Sequence, residues 1–373
     1  MKKLLVILAL IAATVLIALR LRYGGGAPYA DLTTRPLLPE SALEVVAAYP
    51  EPIGNVAVSG DGRVFFTVHP ESRPAGAKLL EWVDGAALPY PDADAQGLFD
   101  TVLGLAVDRQ DRLWTIDHGQ HGTRTARLLA FDLGSGEVTH DYRFGSETAE
   151  VGSFLQDLQV DSTGTRVYIA DVSFWRKNPG IVVYDVEERF AIRALDSHPS
   201  VSPQDWLIRT PGRDMRYFGG LVSLKPGVDG IALDKRDEWL YFGAMSHDGL
   251  FRIRTIDLDD PSLSAAELGE RVERVGDKPL SDGLSIDLED QVYLTDVEHG
   301  AIMRMTPDGE LSTLIRSARI RWADALSFGP DQWLYIADSA LAEQMLMPKE
   351  HIAAQGPYYI YRIDAGARGV AGQ

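Results

Sequence analysis

Residues 282–296 read DGLSIDLEDQVYLTD, and this phrase decides the fold because it recurs along the chain. It consists of a short apolar strand, a polar turn that contains Asp, and a second strand that carries an aromatic residue. The other copies begin at Gly54, Leu103, Gln156, Asp229 and Asp324, and the aromatic residues fall in register at Phe65, Trp114, Tyr168, Tyr241, Tyr293 and Tyr335. A repeat of this kind indicates a repeat architecture before any single motif does.

The repeat predicts an all-β fold, a six-bladed β-propeller with four antiparallel strands in each blade. A four-stranded blade takes roughly 40 to 50 residues, which the intervals between copies match once loop insertions are allowed. The last copy is one strand short, and the strand-like run at residues 43–49 can supply its outer strand. Such closure removes a free sheet edge, so we expect a single propeller domain over residues 43–373.

Residues 1–22 form a separate segment, in which two lysines precede the uncharged, mainly aliphatic run 4–19 and two arginines follow it. This pattern is typical of a secretory signal peptide or of an uncleaved membrane anchor. As a helix, the run would span about 24 Å at 1.5 Å per residue, and its charged flanks can extend that reach. We expect residues 23–42 to be a linker and the propeller to lie outside the cytoplasm, periplasmic or secreted, with residues 4–19 anchoring it in the inner membrane if they are retained.

Composition and charge exclude several classes of function. The 373 residues include no cysteine, which excludes disulfides, thiolate catalysis and Cys-ligated metal centres. A formal charge of −18 argues against nucleic acid as a partner, because phosphate binding needs a basic surface. No serine-hydrolase elbow, zinc-protease motif, phosphate-binding loop or dinucleotide fingerprint is present. We therefore expect a monomer whose partner is a small molecule and whose membrane contact is limited to the N-terminal segment.

The first positions of the predicted inner strands form a candidate site. These positions should form a ring at one mouth of the central channel, and in blade order they are Gly54, Leu103, Gln156, Asp229, Asp282 and Asp324. The three aspartates come from consecutive blades and would repel one another unless a cation, a raised pKa or hydrogen-bond donors compensate. Oxygen ligands suit Ca²⁺ or Mg²⁺ and equally a protonated amine. We take Asn55, Gln156 and the three aspartates as candidate ligand-binding residues, with the aspartates as candidate metal ligands. In the alternative interpretation, each Asp only caps its own turn.

A second ring of aspartates has a different expected role. At the ends of the second strands the repeat places Val68, Asp117, Asp171, Ala244, Asp296 and Asp338. An Asp that recurs at one turn position is typical of a device that ties the following loop through backbone N–H groups. Histidines follow in these loops, at positions 118, 121, 247 and 299, and they lie at the same end of the propeller as the first ring. Of these we take His121 as a further candidate ligand-binding residue.

An ordered series of segments resembles the major royal jelly and yellow family of proteins. It includes "QDRLWTIDHG", "FLQDLQVD" with "RVYIADVS", and "VDGIALDKRDEWLYFGAMSHDGLFRI", and it covers about residues 51–341. The resemblance implies an exported six-bladed propeller. In insects the family includes pigment-pathway proteins linked to dopachrome conversion, nutritive secretions and salivary binders of biogenic amines, and its bacterial members resemble dopachrome-tautomerase-related proteins. Because this chain lacks cysteine, any role of disulfides in the insect proteins does not carry over.

These observations favour a propeller that binds a cation, an amine or an aromatic molecule at the channel mouth, with a possible tautomerase or isomerase activity. One alternative is a hydrolase similar to the calcium-dependent sugar-lactonase propellers, in which an Asp-Gly like Asp282-Gly283 helps to hold a divalent metal. The first blade has Gly54-Asn55-Val56 where that family has Glu-Gly-Pro. A second alternative is a protein-interaction propeller that uses the long insertion at residues 190–228.

Overall fold

The computed structural model describes residues 1–373 and shows a six-bladed β-propeller that follows an N-terminal helix. Each blade is a four-stranded antiparallel sheet. The inner strands of neighbouring blades contact one another around a closed ring, the last blade touching the first. This architecture confirms the fold class that the repeat predicts.

In blades 1 to 3 the strands follow the chain from the inner strand outward. Blade 1 comprises Ile53–Val58, Val64–Val68, Leu79–Val83 and Ala86–Pro89; blade 2 comprises Val102–Val107, Arg112–Asp117, Arg127–Asp132 and Val138–Arg143; blade 3 comprises Leu155–Val160, Arg166–Asp171, Gly180–Asp185 and Phe190–Ala194. Phe190–Ala194 is thus the outer strand of blade 3, and the long insertion begins after it.

Blades 4 to 6 complete the ring, and the last one is closed by the N-terminal strand. Blade 4 comprises Val228–Leu233, Trp239–Ala244, Gly249–Arg254 and Glu273–Asp277; blade 5 comprises Leu284–Ile286, Val292–Asp296, Ala301–Met305 and Leu311–Arg316; blade 6 comprises Ala323–Phe328, Trp333–Asp338, Tyr358–Asp364 and, outermost, Glu44–Tyr49. Glu44 pairs with Arg362 and Tyr49 with Tyr358 in antiparallel register. The run that the sequence leaves without a partner therefore supplies the missing strand.

The hydrophobic core is divided into clusters that lie between adjacent blades. Phe65 of blade 1, for example, packs in one cluster with Val102 and Leu113 of blade 2. Trp114, one of the in-register aromatics, also has a local partner for its polar atom, since its Nε1 donates to Asp108 Oδ2 at 2.7 Å. The repeated pattern of inner strand, Asp turn and aromatic therefore encodes both the packing between blades and the turn that ends each inner strand.

The remaining elements are short and lie mainly in the loops. Short strands are Ala27–Pro28, Trp206–Leu207, Arg216–Tyr217 and Val222–Ser223; short helices are Glu40–Ala42, Pro70–Ser72, Asp94–Leu98, Gly119–Gly122, Phe218–Gly220, Thr255–Leu258, Ala265–Glu270, Leu341–Glu343 and Lys349–Ala354. The insertion at residues 195–227 packs over one end of the propeller, where Ile208, Met215 and Leu224 join Trp322 in a buried cluster.

The N-terminal helix spans Lys2–Tyr23 and is long and apolar enough to cross a membrane, a property that a signal sequence would share. After it, Ala27–Pro28 pairs in parallel with Trp206–Leu207 of the insertion. The chain then follows the outer strand of blade 5, where the Leu37 and Leu38 N–H groups donate to the carbonyls of residues 313 and 314 at 3.0 and 2.8 Å. Residues 24–42 thus lie against the propeller along most of their length.

Residues 366–373 fill the end of the channel opposite the first positions of the inner strands. The Gly372 N–H donates to the Phe328 carbonyl at 2.8 Å, the Gly372 carbonyl accepts from the Val107 N–H at 3.0 Å, and the Gln373 side chain donates to the Val160 carbonyl at 2.9 Å. Ser285 Oγ donates to the Gln373 carbonyl at 3.0 Å. Because these partners belong to the inner strands of four blades, the segment closes this end of the channel.

Candidate functional site

The open mouth of the channel widens into a pocket with a volume of about 250 Å³. Its floor is made by the first residues of the inner strands, among them Gln156, Asp229 and Asp282. One side is polar, with His69, Glu71 and His121, and the other walls are apolar. The pocket thus has an acidic floor beneath a largely hydrophobic throat.

The glycines that follow Asp229 and Asp282 let neighbouring inner strands approach closely. A Cβ on Gly230 would lie 2.4 Å from the Asp282 carbonyl oxygen, and one on Gly283 would lie 2.5 Å from that of Asp324. Real Cβ atoms do not make contacts this short, so no larger residue fits without movement of the backbone. The Asp-Gly pairs therefore combine an acidic side chain with the tight strand packing at the channel mouth.

The floor carboxyl groups are buried together and hold their protons unusually firmly. Asp229, Asp282 and Asp324 are almost wholly inaccessible to solvent, and burial, followed by the charge of neighbouring carboxylates, raises the pKa of Asp229 and of Asp324 well above the ordinary value. Burial raises the pKa of Asp282 to about 8, although the Trp322 hydrogen bond opposes the shift. Burial likewise raises the pKa of Asp157 to about 7. The cluster is therefore partly protonated at neutral pH.

Hydrogen bonds satisfy only part of this floor. Asp282 accepts from Trp322 Nε1 at 2.7 Å and from Gln156 Nε2 at 3.4 Å. Both carboxyl oxygens of Asp229 lack a donor, as does Oδ2 of Asp324. Asp229 lies within hydrogen-bond reach of Asp282, so a proton held between the two would partner one of its oxygens. The remaining acceptors can receive a donor from a bound molecule.

The polar side of the pocket pairs two histidines with two carboxyl groups. His69 Nδ1 accepts from the Glu71 N–H at 3.1 Å, so a neutral His69 carries its proton on Nε2, which lies 3.6 Å from Asp324 Oδ2. Burial lowers the pKa of His69 to about 4, which keeps the ring neutral at pH 7. His121 Nε2 lies 2.9 Å from Glu71 Oε1. Burial opposes ionisation of Glu71, but the hydrogen bond and charge of His121 outweigh it and lower the Glu71 pKa.

Aromatic rings line the throat above the floor. Phe154 lies against His121, with ring centroids 4.7 Å apart. Phe174 and Trp175 from the loop of blade 3 contact each other edge to face at 4.8 Å, and Tyr217 and Phe218 come from the insertion. The faces of aromatic rings attract cations and also provide apolar contact area.

The structure brings together most of the residues that the sequence predicts. Gln156, Asp229, Asp282 and His121 line the pocket. The two others lie directly behind the lining residues: Asn55 Nδ2 donates to Asp157 Oδ1 at 3.1 Å, and Asp324 faces His69. Ligand binding by all six stays a prediction.

Sequence reasoning missed His69 and Glu71, although a signal was present. His69 follows Val68 directly, as His118 follows Asp117 at the same position of the next repeat. The aromatic walls had no comparable signal, since they come from loops and an insertion outside the repeat.

The second ring of aspartates has the turn-tying role that the sequence predicts. Asp296 Oδ1 accepts from the N–H groups of Glu298 and His299 at 3.0 and 3.1 Å. Asp117 accepts from the Thr101 and Gly119 N–H groups in the same way. These carboxylates are occupied by the backbone, so we assign them to architecture.

No group of three or more His, Asp and Glu side chains is arranged to hold a metal ion. Asp282 is tied to Trp322 and Gln156, and Asp324 is directed toward His69. In this arrangement the floor aspartates do not fit a Ca²⁺ or Mg²⁺ site, which needs several converging oxygen ligands. Metal binding by Asp229, Asp282 and Asp324 would require these side chains to reorient.

Comparison with known proteins gives a consistent result. A family model described as "Major royal jelly protein" matches residues 100–315. Major royal jelly protein 3 of Apis mellifera is 28% identical over 195 residues, which are 46% of this chain and 33% of that protein. Major royal jelly protein 1 of the same species is 28% identical over 200 residues, 46% of this chain and 42% of that protein. The match thus spans about a third to two fifths of the length of these relatives.

Solved propellers resemble the chain in fold alone. A luciferin-regenerating enzyme superposes with a TM-score of 0.57 at 11% identity, covering 88% of this chain and 97% of that one. A calcium-binding regucalcin from Agrobacterium tumefaciens gives 0.54 at 14% identity, covering 87% and 95% of the two chains. A gluconolactonase from Xanthomonas campestris gives 0.53 at 16% identity, covering 92% and 98%.

Proposed function

This chain belongs to the major royal jelly protein family, and we propose that its propeller binds an organic cation, an amine with an aromatic or apolar body, in the pocket at the channel mouth. The observation that carries the proposal is the floor, where the buried oxygens of Asp229 and Asp324 lack donors beneath apolar walls. An ammonium group supplies hydrogen bonds and positive charge to such a floor, and the aromatic throat accommodates the remainder of the molecule.

The shape of the pocket supports an amine more strongly than a bare metal ion. The carboxyl groups do not converge on one point, whereas an ammonium needs only one or two acceptors at its tip. The aromatic throat, which includes Phe154 and Trp175, offers few contacts to a small hydrated ion but a large contact area to a ring or an alkyl chain. Lactone hydrolysis at a metal centre is the alternative that the fold of the gluconolactonase allows.

A thermal-shift comparison tests the proposal. Tyramine should raise the melting temperature, while 3-(4-hydroxyphenyl)propionate, in which a carboxylate replaces the amine, should not. A ligand at 100 times its Kd stabilises the folded state by about 2.7 kcal/mol, a shift of a few degrees in a large domain. Asp229→Asn should weaken the response and the exposed-turn variant Asp308→Asn should preserve it. A shift with Ca²⁺ or Mg²⁺ and none with the amine would favour the metal-dependent alternative.

Proton transfer is a second candidate function, favoured by the acid and base groups around the pocket. A tautomerisation removes a proton from one atom of the substrate and returns a proton to another, so the electrons stay within the substrate and no oxidant is needed. Asp282, with its pKa raised to about 8, is suited to donate a proton at neutral pH. The ionised Glu71 beside His121 is suited to accept one. The test follows the conversion of a quinone-type aromatic amine by absorbance. Any catalysis that the wild-type protein shows should be lost in Glu71→Gln.

We also propose that the propeller is exported and that the N-terminal helix anchors it to the membrane. The helix Lys2–Tyr23 contains an 18-residue stretch with a mean hydropathy of 2.8, and none of the residues of the helix is buried in the folded chain. Leaving that much apolar surface in water is unfavourable, so a bilayer is its natural environment. Fractionation of cells that express the full chain should place it in the membrane fraction after carbonate washing. Recovery of a shortened, soluble chain would instead identify a cleaved signal.

A further inference from the structure

The N-terminal helix ends on the rim of the pocket rather than elsewhere on the propeller. The Tyr23 hydroxyl donates to the Trp175 carbonyl at 2.8 Å, and the Tyr23 ring contacts Trp175 edge to face at 5.8 Å. Arg22 donates to the Arg176 carbonyl at 2.9 Å, and Arg20 donates to the Gly220 carbonyl. Trp175 itself lines the pocket, so the C-terminal end of the helix that we assign to the membrane lies at the pocket entrance.

The residues that connect the helix to the propeller are held by hydrogen bonds to the insertion. Lys225 Nζ donates to the Gly24 carbonyl at 2.5 Å, and Ser223 Oγ donates to that of Gly25 at 2.7 Å. The parallel pairing of Ala27–Pro28 follows immediately. A flexible linker would leave the propeller free to turn, but these contacts hold the helix end to the loops around the pocket.

The rim around the helix end is apolar and exposed. Phe218 is 65% exposed, Leu346 56% and Trp175 44%, and all three line the pocket. Val151 is 71% exposed and lies on the same rim, since its neighbour Glu150 forms an ion pair with Arg176. Exposed apolar side chains gathered around a pocket favour an interaction surface over ordinary solvated surface.

Cations surround the same point in a chain whose net charge is −18. Lys177 Nζ lies 4.2 Å from the Phe174 ring centroid and 5.3 Å from that of Tyr23. Burial and then the nearby charges of Lys225 and Arg22 lower the pKa of Lys177 to about 8. Arginine, lysine and tyrosine at the end of an apolar helix are typical of the headgroup region of a bilayer.

From these contacts we propose that the pocket rim itself lies on the bilayer that holds the helix, so that the pocket opens toward the membrane surface. The helix of 22 residues is about 33 Å long, close to the hydrocarbon thickness of a bilayer, which places Tyr23 at the interface. Trp175 contacts Tyr23 of the last turn, and Gly220, in the same short turn as Phe218, accepts from Arg20, so both aromatic residues enter the interface with the helix end. The occupant of this surface is the lipid bilayer.

The position of the rim deepens the proposed function, on which this step rests. A ligand that enters from the membrane surface is an amphiphile that partitions into lipid. Its ammonium group reaches the floor at Asp229, and its apolar tail lies in the throat and extends toward the rim. The ligand class narrows from amines in general to membrane-partitioning amines.

The absence of cysteine from the chain permits a direct test by single-site spin labelling. The full chain is reconstituted in phospholipid nanodiscs at one copy per disc, with a nitroxide at Phe218→Cys or at Val151→Cys. The matched control is Leu88→Cys, an exposed apolar residue on the outer strand of blade 1. We expect the rim labels to be accessible to lipid-soluble oxygen and shielded from a water-soluble nickel chelate, and the Leu88 label to be accessible to nickel.

Equal access of nickel to the rim and to Leu88 would overturn the proposal. Shielding that appears only when two copies share a disc would assign the surface to a second copy and would overturn it as well. In a parallel measurement, dodecylamine should bind to the nanodisc-held protein more tightly than the short amine tyramine, and Asp229→Asn should weaken both while leaving the rim labels shielded. Failure of both amines with shielded rim labels would refute the proposed function and leave the membrane-facing rim established. Tighter binding of tyramine would contradict the narrowed ligand class.

Discussion

At the channel mouth, Asp282 and Gly283 have separate roles that the sequence presents as one dipeptide. Gly283 lets the inner strand of blade 5 approach that of blade 6, and Asp282 contributes a buried carboxyl group to the pocket floor. Either role alone would explain an Asp-Gly pair in a turn. The structure shows that both operate, because the close approach of strands is what brings carboxyl groups from neighbouring blades together.

The packing role predicts a large effect of a single methyl group. Gly283→Ala places its Cβ 2.5 Å from the Asp324 carbonyl oxygen, so the strands must separate. We expect a loss of about 1–3 kcal/mol in the free energy of unfolding, the usual cost of overpacking. The control is Gly97→Ala, at a glycine where an added methyl group would have no atom within 4 Å and where the backbone is not left-handed. Urea unfolding measures both, and equal stabilities would refute this role of the glycine.

The electrostatic role predicts how stability depends on pH. Because the pKa of Asp282 rises from its ordinary value of 3.8 to about 8 on folding, the folded chain keeps a proton that the unfolded chain releases. The resulting stabilisation is complete below pH 4 and is lost as the pH rises toward 8, with a slope of up to about 1.4 kcal/mol per pH unit. Asp282→Asn should make the decline between pH 5 and 7 shallower. An unchanged slope in urea unfolding would mean that Asp282 does not hold this proton.

At the level of elements, the outer strand of blade 6 comes from the other end of the chain. Glu44–Tyr49 pairs with Tyr358–Asp364, and Ala47 of this strand packs with Ile53 and Ile360 between blades 6 and 1. The pairing covers an edge that would otherwise be free, and it links the segment after the N-terminal helix to the last blade. The strand that closes the ring therefore also fixes the chain that leads from the N-terminal helix into the propeller.

Two adjacent alanines of this strand test the closure. Ala47 is buried and Ala48 is exposed on the opposite face, so the same substitution can be compared at a core position and at a solvent-exposed one. Ala47→Asp should cost several kcal/mol of unfolding free energy, because a buried charge lacks a partner there. Ala48→Asp should cost no more than about 1 kcal/mol, the range of strand propensities. Similar melting temperatures for the two variants would show that the strand is not packed into blade 6.

The repeat made the elements predictable, and its limits explain what was missed. Register alone placed Asp229, Asp282 and Asp324 at one mouth, because equivalent positions of a closed ring share one end of the axis. Register also carried the signal for His69, which follows Val68 as His118 follows Asp117. The aromatic throat was not predictable from the repeat, since Phe174 and Trp175 lie in a loop whose residue types do not recur in the other blades and Phe218 lies in the insertion. Their placement depends on long-range packing of the insertion over the channel.

At the scale of the whole molecule, the two ends of the propeller channel differ in structure. Residues 366–373 fill one end of the channel, and the pocket, the insertion and the end of the N-terminal helix share the other. The sequence predicted the propeller and the apolar helix separately. It could not predict their juxtaposition, because the contacts between Tyr23 and Trp175 join residues far apart in the chain and outside the repeat.

The central claim is that an amine binds to carboxyl groups that hold protons at neutral pH. Binding of an ammonium ion beside Asp229 and Asp282 favours their ionised forms, so protons should be released when the complex forms. Isothermal titration calorimetry of tyramine at pH 7, in buffers that differ in ionisation enthalpy, measures that release. We expect a release of up to about one proton per bound amine, and less in Asp282→Asn. Binding without proton release, or no binding in any buffer, would contradict the claim.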